Sequence, residues 1–444
     1  VLRILFFWVF CWILLAVGLR AYEPGLSLDG LVYAATAFQI HDSGDWIRLS
    51  SGTPVYSDFF EHPHLFFWVL ASFLKLGPAE DWVLRMPTQL LFFAAVWFYV
   101  FCLRKCERRT EAVLAPVLLV LIPGLTQWFN NTFIDGFFFS LVSISVLFLM
   151  RSQHWVSGLF LGLAACAKGS TVLAVGPFFA LFYFWNLFTI SDQRLKALGS
   201  LARCFAGFLI PMAAYLFVVG ILFDDFSFFE KHFHRHFTNR FVPQWDFWGF
   251  ANPKLWTEAV KASSGLLLLF PFAMWRAQWK WRCLGIVWLL SWALMYGGGT
   301  RIGGWYTIPF SMAAFVGGVF LVSAWKGMQR WIPSEPRFVH SVVPLLLLGI
   351  LQALPIPVRA RGPDAEFALI RPALKKHDCS ELVSVRPCVD QGFDCFAWAW
   401  YLRTRVVDTT DSRLPGCYIE KLGRDDPLSP QVLHARYRFW TVRN

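Results

Sequence analysis

The stretch FYVFCLRKCERRTEAVLAPVLLVLI, residues 98–122, sets an apolar run, a compact basic cluster and a second apolar run end to end. Apolar residues in such density need lipid or a deep core, and arginine and lysine at a run's end mark the cytoplasmic side of a membrane span. Composition extends that reading to the whole chain. Its 444 residues are 57% hydrophobic and 16% charged, with 23 Trp and 47 Phe. Soluble domains are about 45–50% apolar and about 25% charged. The chain is therefore an integral membrane protein. A formal charge of +11 does not signal nucleic acid, because the cations fall in short clusters between apolar runs and form no patch.

Further apolar runs are visible near 4–19, 82–103, 112–128, 134–150, 156–168, 170–190, 200–222, 263–275, 283–297, 305–325 and 338–354. Ile4–Leu19 has the length of a signal-peptide core or of a first span, and no small-x-small cleavage site follows it, which favours the span. Leu65–Leu76 is too short to cross a bilayer and reads as an interfacial helix. RKCERR (104–109), RLKALGSLAR (194–203), RAQWKWR (276–282) and KGMQR (326–330) occupy alternate loops. The positive-inside rule makes these cytoplasmic, with the N-terminus inside, about 11 spans and the C-terminus outside.

This yields a membrane domain over 1–354, with 22–81 as its first external loop, and a small extracytoplasmic domain over 355–444. The expected class is an all-α polytopic membrane protein with an α+β C-terminal domain. Within the tail, CFAWAWYLRTRVVDTT (395–410) predicts a helix passing into a strand. Cys379, Cys388, Cys395 and Cys417 lie together there and read as disulfide-forming in an oxidising compartment. Cys11, Cys102, Cys106, Cys166, Cys204 and Cys283 lie in or beside apolar runs and read as free thiols.

Topology gathers the unusual polar residues on the outer face. In SLDGLVYAATAFQIHDSGDW (27–46), Asp29 follows the first membrane exit. It reads either as a helix cap or as a carboxylate able to take a proton from an incoming acceptor. In FFEHPHLFFW (59–68), Pro63 suits the first turn of the following helix, and Glu61 and His62 are competent cation ligands. In FFEKHFHRHFTNRF (228–241), His232 and Arg235 share a helical face suited to an anion such as phosphate, or to lipid headgroups. Asp135 heads one span and Lys168 ends another, each able to snorkel or to serve an outer cavity. Arg301 and Tyr306 stand in RIGGWYTIPF, and Arg240 adds a further cation.

The order of these elements resembles the GT-C glycosyltransferases. An acid after the first span, then Tyr33-Ala34, SGDW, and Phe60-Glu61-x-Pro63-x-Leu65 with Trp68 are similar to the first external loop of the protein O-mannosyltransferases and the lipid A aminoarabinose transferases (glycosyltransferase families 39 and 83). Asp135, AKG at 167–169, His232-x-x-Arg235 and WYTIPF follow in order, so the PMT-like pattern covers roughly 1–325.

The resemblance implies an inverting transfer of a sugar from a polyprenyl monophosphate donor to a lipid, glycan or protein acceptor, outside an inner (plasma) membrane. It implies Asp29 as a catalytic carboxylate, either the general base or an acceptor-positioning group, and Asp135 as a second catalytic carboxylate in the same cavity. Lys168, Arg235, Arg240, Arg301 and His62 would hold the donor phosphate, Tyr33 and Tyr306 would position donor or acceptor, and Glu61 with His232 would share a divalent cation. Two departures stand out: Gly30 replaces a common second acid, and His62-Pro63-His64 replaces Lys-Pro-Pro. The competing reading is a flippase or transporter of lipid-linked sugars, which needs ionisable residues deep in several spans. Here the charges gather at one face.

Overall fold

The computed structural model describes residues 26, 29–105, 122, 125, 132–189, 194–234, 251–297, 307–315, 381–384, 394–402, 405–408, 416–421, 432–434 and 437–442. Its helices, in chain order, are α1 (Asp29–Ser43), α2 (Leu65–Leu76), α3 (Asp81–Lys105), α4 (Ile134–Met150), α5 (His154–Lys168), α6 (Gly176–Thr189), α7 (Arg194–Leu216), α8 (Phe226–Phe233), α9 (Pro253–Ala262), α10 (Phe270–Arg276), α11 (Trp279–Gly297) and α12 (Asp394–Leu402). The strands are β1 (Glu381–Ser384), β2 (Arg405–Asp408), β3 (Gly416–Lys421), β4 (Val432–His434) and β5 (Tyr437–Val442). Among the described residues, three helical segments are long and apolar enough to cross a membrane: Asp81–Cys102, His154–Ala174 and Arg194–Leu222.

The chain divides into two compact units. The first contains Val1–Ala21, Glu61–Pro63 and Thr88–Pro355, and the second Tyr22–Phe60, His64–Pro87 and Ile356–Asn444. Most of the first loop thus clusters with the tail, where the linear division had grouped it with the spans; α3 contributes to both units.

In the first unit, α4 and α5 form a hairpin joined by Arg151–Gln153. Ser145 Oγ donates to Ser157 O at 2.6 Å inside that hairpin. α5 and α7 approach so closely that only glycine fits between them. A Cβ on Gly158 or Gly162 would run into the backbone of Cys204 or Phe208, and one on Gly207 into Trp155 O. Gly158 and Gly162 form a G-x-x-x-G pair, a spacing that lets membrane helices pack backbone to backbone. The opposite face of α7 exposes Phe205 at 58% and Ile210 at 48%, the surface a lipid-facing helix presents. α11 joins α6 through Lys280, which donates to Asn186 Oδ1 at 2.8 Å and lies 4.1 Å over the Phe182 ring.

In the second unit, α1 packs on α2 through Tyr33, edge-on to Phe66 at 5.8 Å and Phe67 at 5.7 Å. The sheet runs β2-β1-β3-β5-β4. β1 is parallel to β2 and β3, while β5 pairs antiparallel with β3 and β4. A parallel β1–β2 pair needs a crossover, and α12 lies within it. Val406 N on β2 donates to Gly52 O at 2.9 Å. Tyr56 stacks on Phe396 at 5.7 Å. The loop and the tail are thereby one packed body.

Several sequence expectations land closely. Leu65–Leu76 and Ile134–Met150 have the bounds the apolar runs predict, and 395–410 forms its helix and then its strand. Others need correction. The basic stretch 194–203, read as a loop, is helical and opens α7. Arginine, lysine, leucine and alanine are good helix formers, so charge alone does not stop a helix. The 263–275 run is broken, because Ser264 and Gly265 take positive φ between α9 and the turn Leu266–Leu269. Pro63 precedes the His64 cap of α2 and is not in its first turn. Cys395 is disulfide-bonded, and Cys102, Cys166, Cys204 and Cys283 are free. The expected runs at 4–19 and 338–354, nearly all of 112–128, and the cysteines at 379 and 388 lie outside the described residues.

Candidate active site

Asp135 falls in the first turn of α4, after Phe133 in extended backbone (φ −103°, ψ 131°). A helix N-terminus favours a negative charge there. α5 returns along α4 and ends at Lys168, at the same end of the hairpin as Asp135. Lys168 Nζ donates to Asp135 Oδ1 in an ion pair whose residues are 7% and 3% exposed. The sequence allowed each to be a separate surface anchor; the structure buries both and joins them. Such burial costs several kcal/mol per ion before the mutual attraction offsets it, so the pair is an unusual element of an apolar fold.

The chain then turns at Gly169, whose φ of +59° favours a residue without Cβ. A Cβ there would collide with His232 Nε2, come 3.0 Å from His232 Cε1 and 3.4 Å from Pro63 Cδ. The His232 ring is therefore seated directly on the backbone that follows Lys168. α8 holds it. Asp225 caps that helix by accepting from Phe228 N at 3.2 Å, and Phe228 stacks on His232 at 5.7 Å and 10° between planes. Pro63 brings Glu61, half-buried, and His62, 9% exposed, into the same unit. The structure thus gathers Asp135, Lys168, Gly169, His232 and the Glu61–Pro63 segment.

Asp29 and Tyr33 belong to the second unit. Asp29 is the first residue of α1, where a carboxylate meets the positive end of the helix dipole. Tyr33 is 4% exposed and packed on Phe66 and Phe67. His64, on the far side of Pro63, is fully buried and donates through Nε2 to Ile47 O at 2.6 Å, fixing the loop after α1. Arg235, Arg240, Arg301 and Tyr306 lie outside the described residues.

Among the described residues, no group of three or more His, Cys, Asp or Glu side chains is arranged to hold a metal ion. Glu61 and His232 are two candidate ligands, one fewer than the three protein ligands common in catalytic zinc sites.

The sequence reading missed Asp81. It opens α3 and is 7% exposed. Trp400 Nε1 donates to its Oδ1 at 2.8 Å and Tyr401 OH to its Oδ2 at 3.2 Å. No local pattern announces partners so far along the chain, whereas the G-x-x-x-G pair at 158–162 was open to view in the sequence.

Comparison with known proteins bears on this constellation. Residues 61–210 match the family model described as dolichyl-phosphate-mannose-protein mannosyltransferase. No curated protein matches the chain. The structure of ArnT from Cupriavidus metallidurans in the apo state is similar with a TM-score of 0.67 at 14% identity, over 92% of this chain and 91% of that one. The same protein bound to undecaprenyl phosphate gives 0.65 at 14% identity, over 93% and 92%. The archaeal oligosaccharyltransferase AglB from Archaeoglobus fulgidus, in complex with an inhibitory peptide and a dolichol-phosphate, gives 0.50 at 12% identity, over 92% and 69%. The matched family segment contains Glu61, Asp135, Lys168 and Gly169. Residues 61–210 are thus similar to the mannosyltransferase family, and the chain shares its fold with ArnT along nearly its whole length.

Proposed function

We propose that the chain is a membrane glycosyltransferase that moves a hexose or pentose from a polyprenyl-monophosphate donor to a lipid, glycan or protein acceptor at the outer (periplasmic) face of an inner membrane, with inversion at the anomeric carbon. The observation that carries this reading is the buried Asp135–Lys168 pair with His232 seated beside it on Gly169, most of it inside the family-matched segment. The donor class is supported by undecaprenyl phosphate in ArnT and dolichol-phosphate in AglB.

In this mechanism the acceptor's nucleophilic atom attacks the anomeric carbon from the face opposite the phosphate. The carbon–oxygen bond to phosphate breaks, and its electron pair leaves with the phosphate. Asp29 takes the acceptor's proton. The phosphate gains negative charge as it departs, so a fixed cation in a dry site lowers the barrier. Lys168 supplies that cation. Its ammonium has three N–H donors, one engaged by Asp135 and others available for a phosphate oxygen, so Asp135 orients the lysine. Arg235, Arg240, Arg301 and His62 complete the phosphate contacts, and Tyr306 positions the sugar or acceptor. Tyr33 acts through the packing of α1. Glu61 and His232 are the pair that would hold a divalent cation, which metal analysis of wild-type protein and Glu61→Gln tests directly.

Asp29→Asn tests the base. Transfer of labelled sugar from undecaprenyl-phosphate donors to a crude envelope extract is expected to fall by about 10²–10⁴, while donor binding persists. Retained transfer overturns the assignment. Passage of the donor across vesicle membranes by a wild-type protein that transfers nothing would instead establish the flippase. Mass spectrometry of envelope lipids, glycans and proteins from cells with and without the chain identifies the acceptor.

A further inference from the structure

The second unit holds a buried hydrogen-bond chain that ends at Leu26, three residues before Asp29 in the sequence. Tyr401 OH accepts from Leu26 N at 2.7 Å, with Leu26 6% and Tyr401 1% exposed. The same hydroxyl donates to Asp81 Oδ2 at 3.2 Å, and Trp400 Nε1 donates to Asp81 Oδ1 at 2.8 Å. A phenol has one proton to give and lone pairs to receive. Its two partners therefore use it in opposite senses and fix its orientation. Asp81 anchors the hydroxyl; the hydroxyl anchors the backbone three residues ahead of Asp29. Trp400 also meets α1 directly, edge-on to Phe38 at 6.3 Å.

We propose that Tyr401 is a positioning residue for Asp29: by tying Leu26 N to the Asp81 carboxylate it sets where the first turn of α1 stands and hence where the Asp29 carboxylate is presented. The inference rests on the reading of Asp29 as the base. It gives the tail a specific task, since α12 supplies both donors to Asp81. The first residue of a helix has no preceding helical turn, so an anchor on the backbone shortly before it bears on where the first turn stands. A misplaced reacting group loses rate steeply without losing ligand affinity.

The decisive variant is Tyr401→Phe in the full-length protein, which keeps the ring and removes only the hydroxyl. Hydrogen–deuterium exchange and transfer kinetics are read on the same preparation, with undecaprenyl-phosphate-linked mannose and aminoarabinose as donors and crude envelope extract as acceptor. Amides at 29–33 are expected to exchange faster while those of α4 and α5 do not change. Turnover is expected to fall about tenfold with donor KM within about twofold, the split that marks loss of alignment. Asp81→Asn is expected to produce the same signature, and the double variant no more than the stronger single one. Unchanged exchange at 29–33, or unchanged turnover, overturns the proposal. So does a parallel loss of turnover, donor affinity and exchange protection throughout the chain, which marks plain structural support. Asp29→Asn separates the two readings. If it retains transfer, the base assignment fails whatever Tyr401→Phe does; if it abolishes transfer and Tyr401→Phe is silent, only the positioning role fails. With no turnover from any donor, the exchange data alone decide whether Tyr401 fixes α1.

Discussion

Asp135 and Asp81 are both buried carboxylates in the first turn of a helix, yet they are held in different ways. Asp135 faces the ammonium of Lys168, 33 residues away. Asp81 is met by an indole N–H and a phenol, 319 and 320 residues further along. The first joins two adjacent helices of one hairpin; the second ties the start of a helix to a distant part of the chain. A formal ion pair of this kind is demanding to bury and suited to answering a charged ligand. Neutral donors are gentler to bury and suited to fixing geometry. The contrast fits Asp135 to the proposed chemistry and Asp81 to the proposed positioning role.

The largest effect should come from Lys168→Ala, which strands the Asp135 charge and is expected to cost about 3–5 kcal/mol in denaturant unfolding in detergent micelles. The double variant Asp135→Leu/Lys168→Met sharpens the point. It should recover most of that stability and none of the transfer activity, because apolar replacement of a buried pair is often neutral. A stable and active double variant would break the functional reading of the pair. Asp81→Asn comes next, at about 1–3 kcal/mol for the acceptor lost to a buried donor, again by denaturant unfolding. A loss as large as that of Lys168→Ala would erase the distinction between the two sites. The smallest effect belongs to Arg48→Ala. Its pair with Asp58, at 3.1 Å with side chains 71% and 46% exposed, is an exposed ion pair worth roughly 0–1 kcal/mol at most, and unfolding should barely shift.

The sequence made one half of this picture legible. Bounds of α2 and α4 follow from apolar runs ended by Gly77 and by Arg151, and Asp135 and Lys168 stand out because charge is rare in such runs. What it concealed has two physical sources. Helix-forming cations at 194–203 look like a loop when only their charge is weighed, although their backbone preference is helical. Pairings across hundreds of residues leave no local period, so neither the Asp81 cluster nor the gathering of the first loop with the tail could be read from spacing. His232 lies between these cases. Its histidine was conspicuous, but its seat depends on Gly169, whose importance appears only when the ring is found resting on it.

The union of first loop and tail also orders events in time. The partners that Asp81 and Leu26 bind leave the ribosome some 300 residues later, and at roughly 5–20 residues per second this leaves α1 waiting for tens of seconds. During that interval Tyr33, Phe66 and Phe67 can already pack α1 against α2, while the Leu26 amide and the Asp81 carboxylate still lack their Tyr401 partner. A stretch synthesised more than 300 residues later thus supplies the hydroxyl that receives the Leu26 amide, so a chain cut before Tyr401 would carry Asp29 without that proposed fastening.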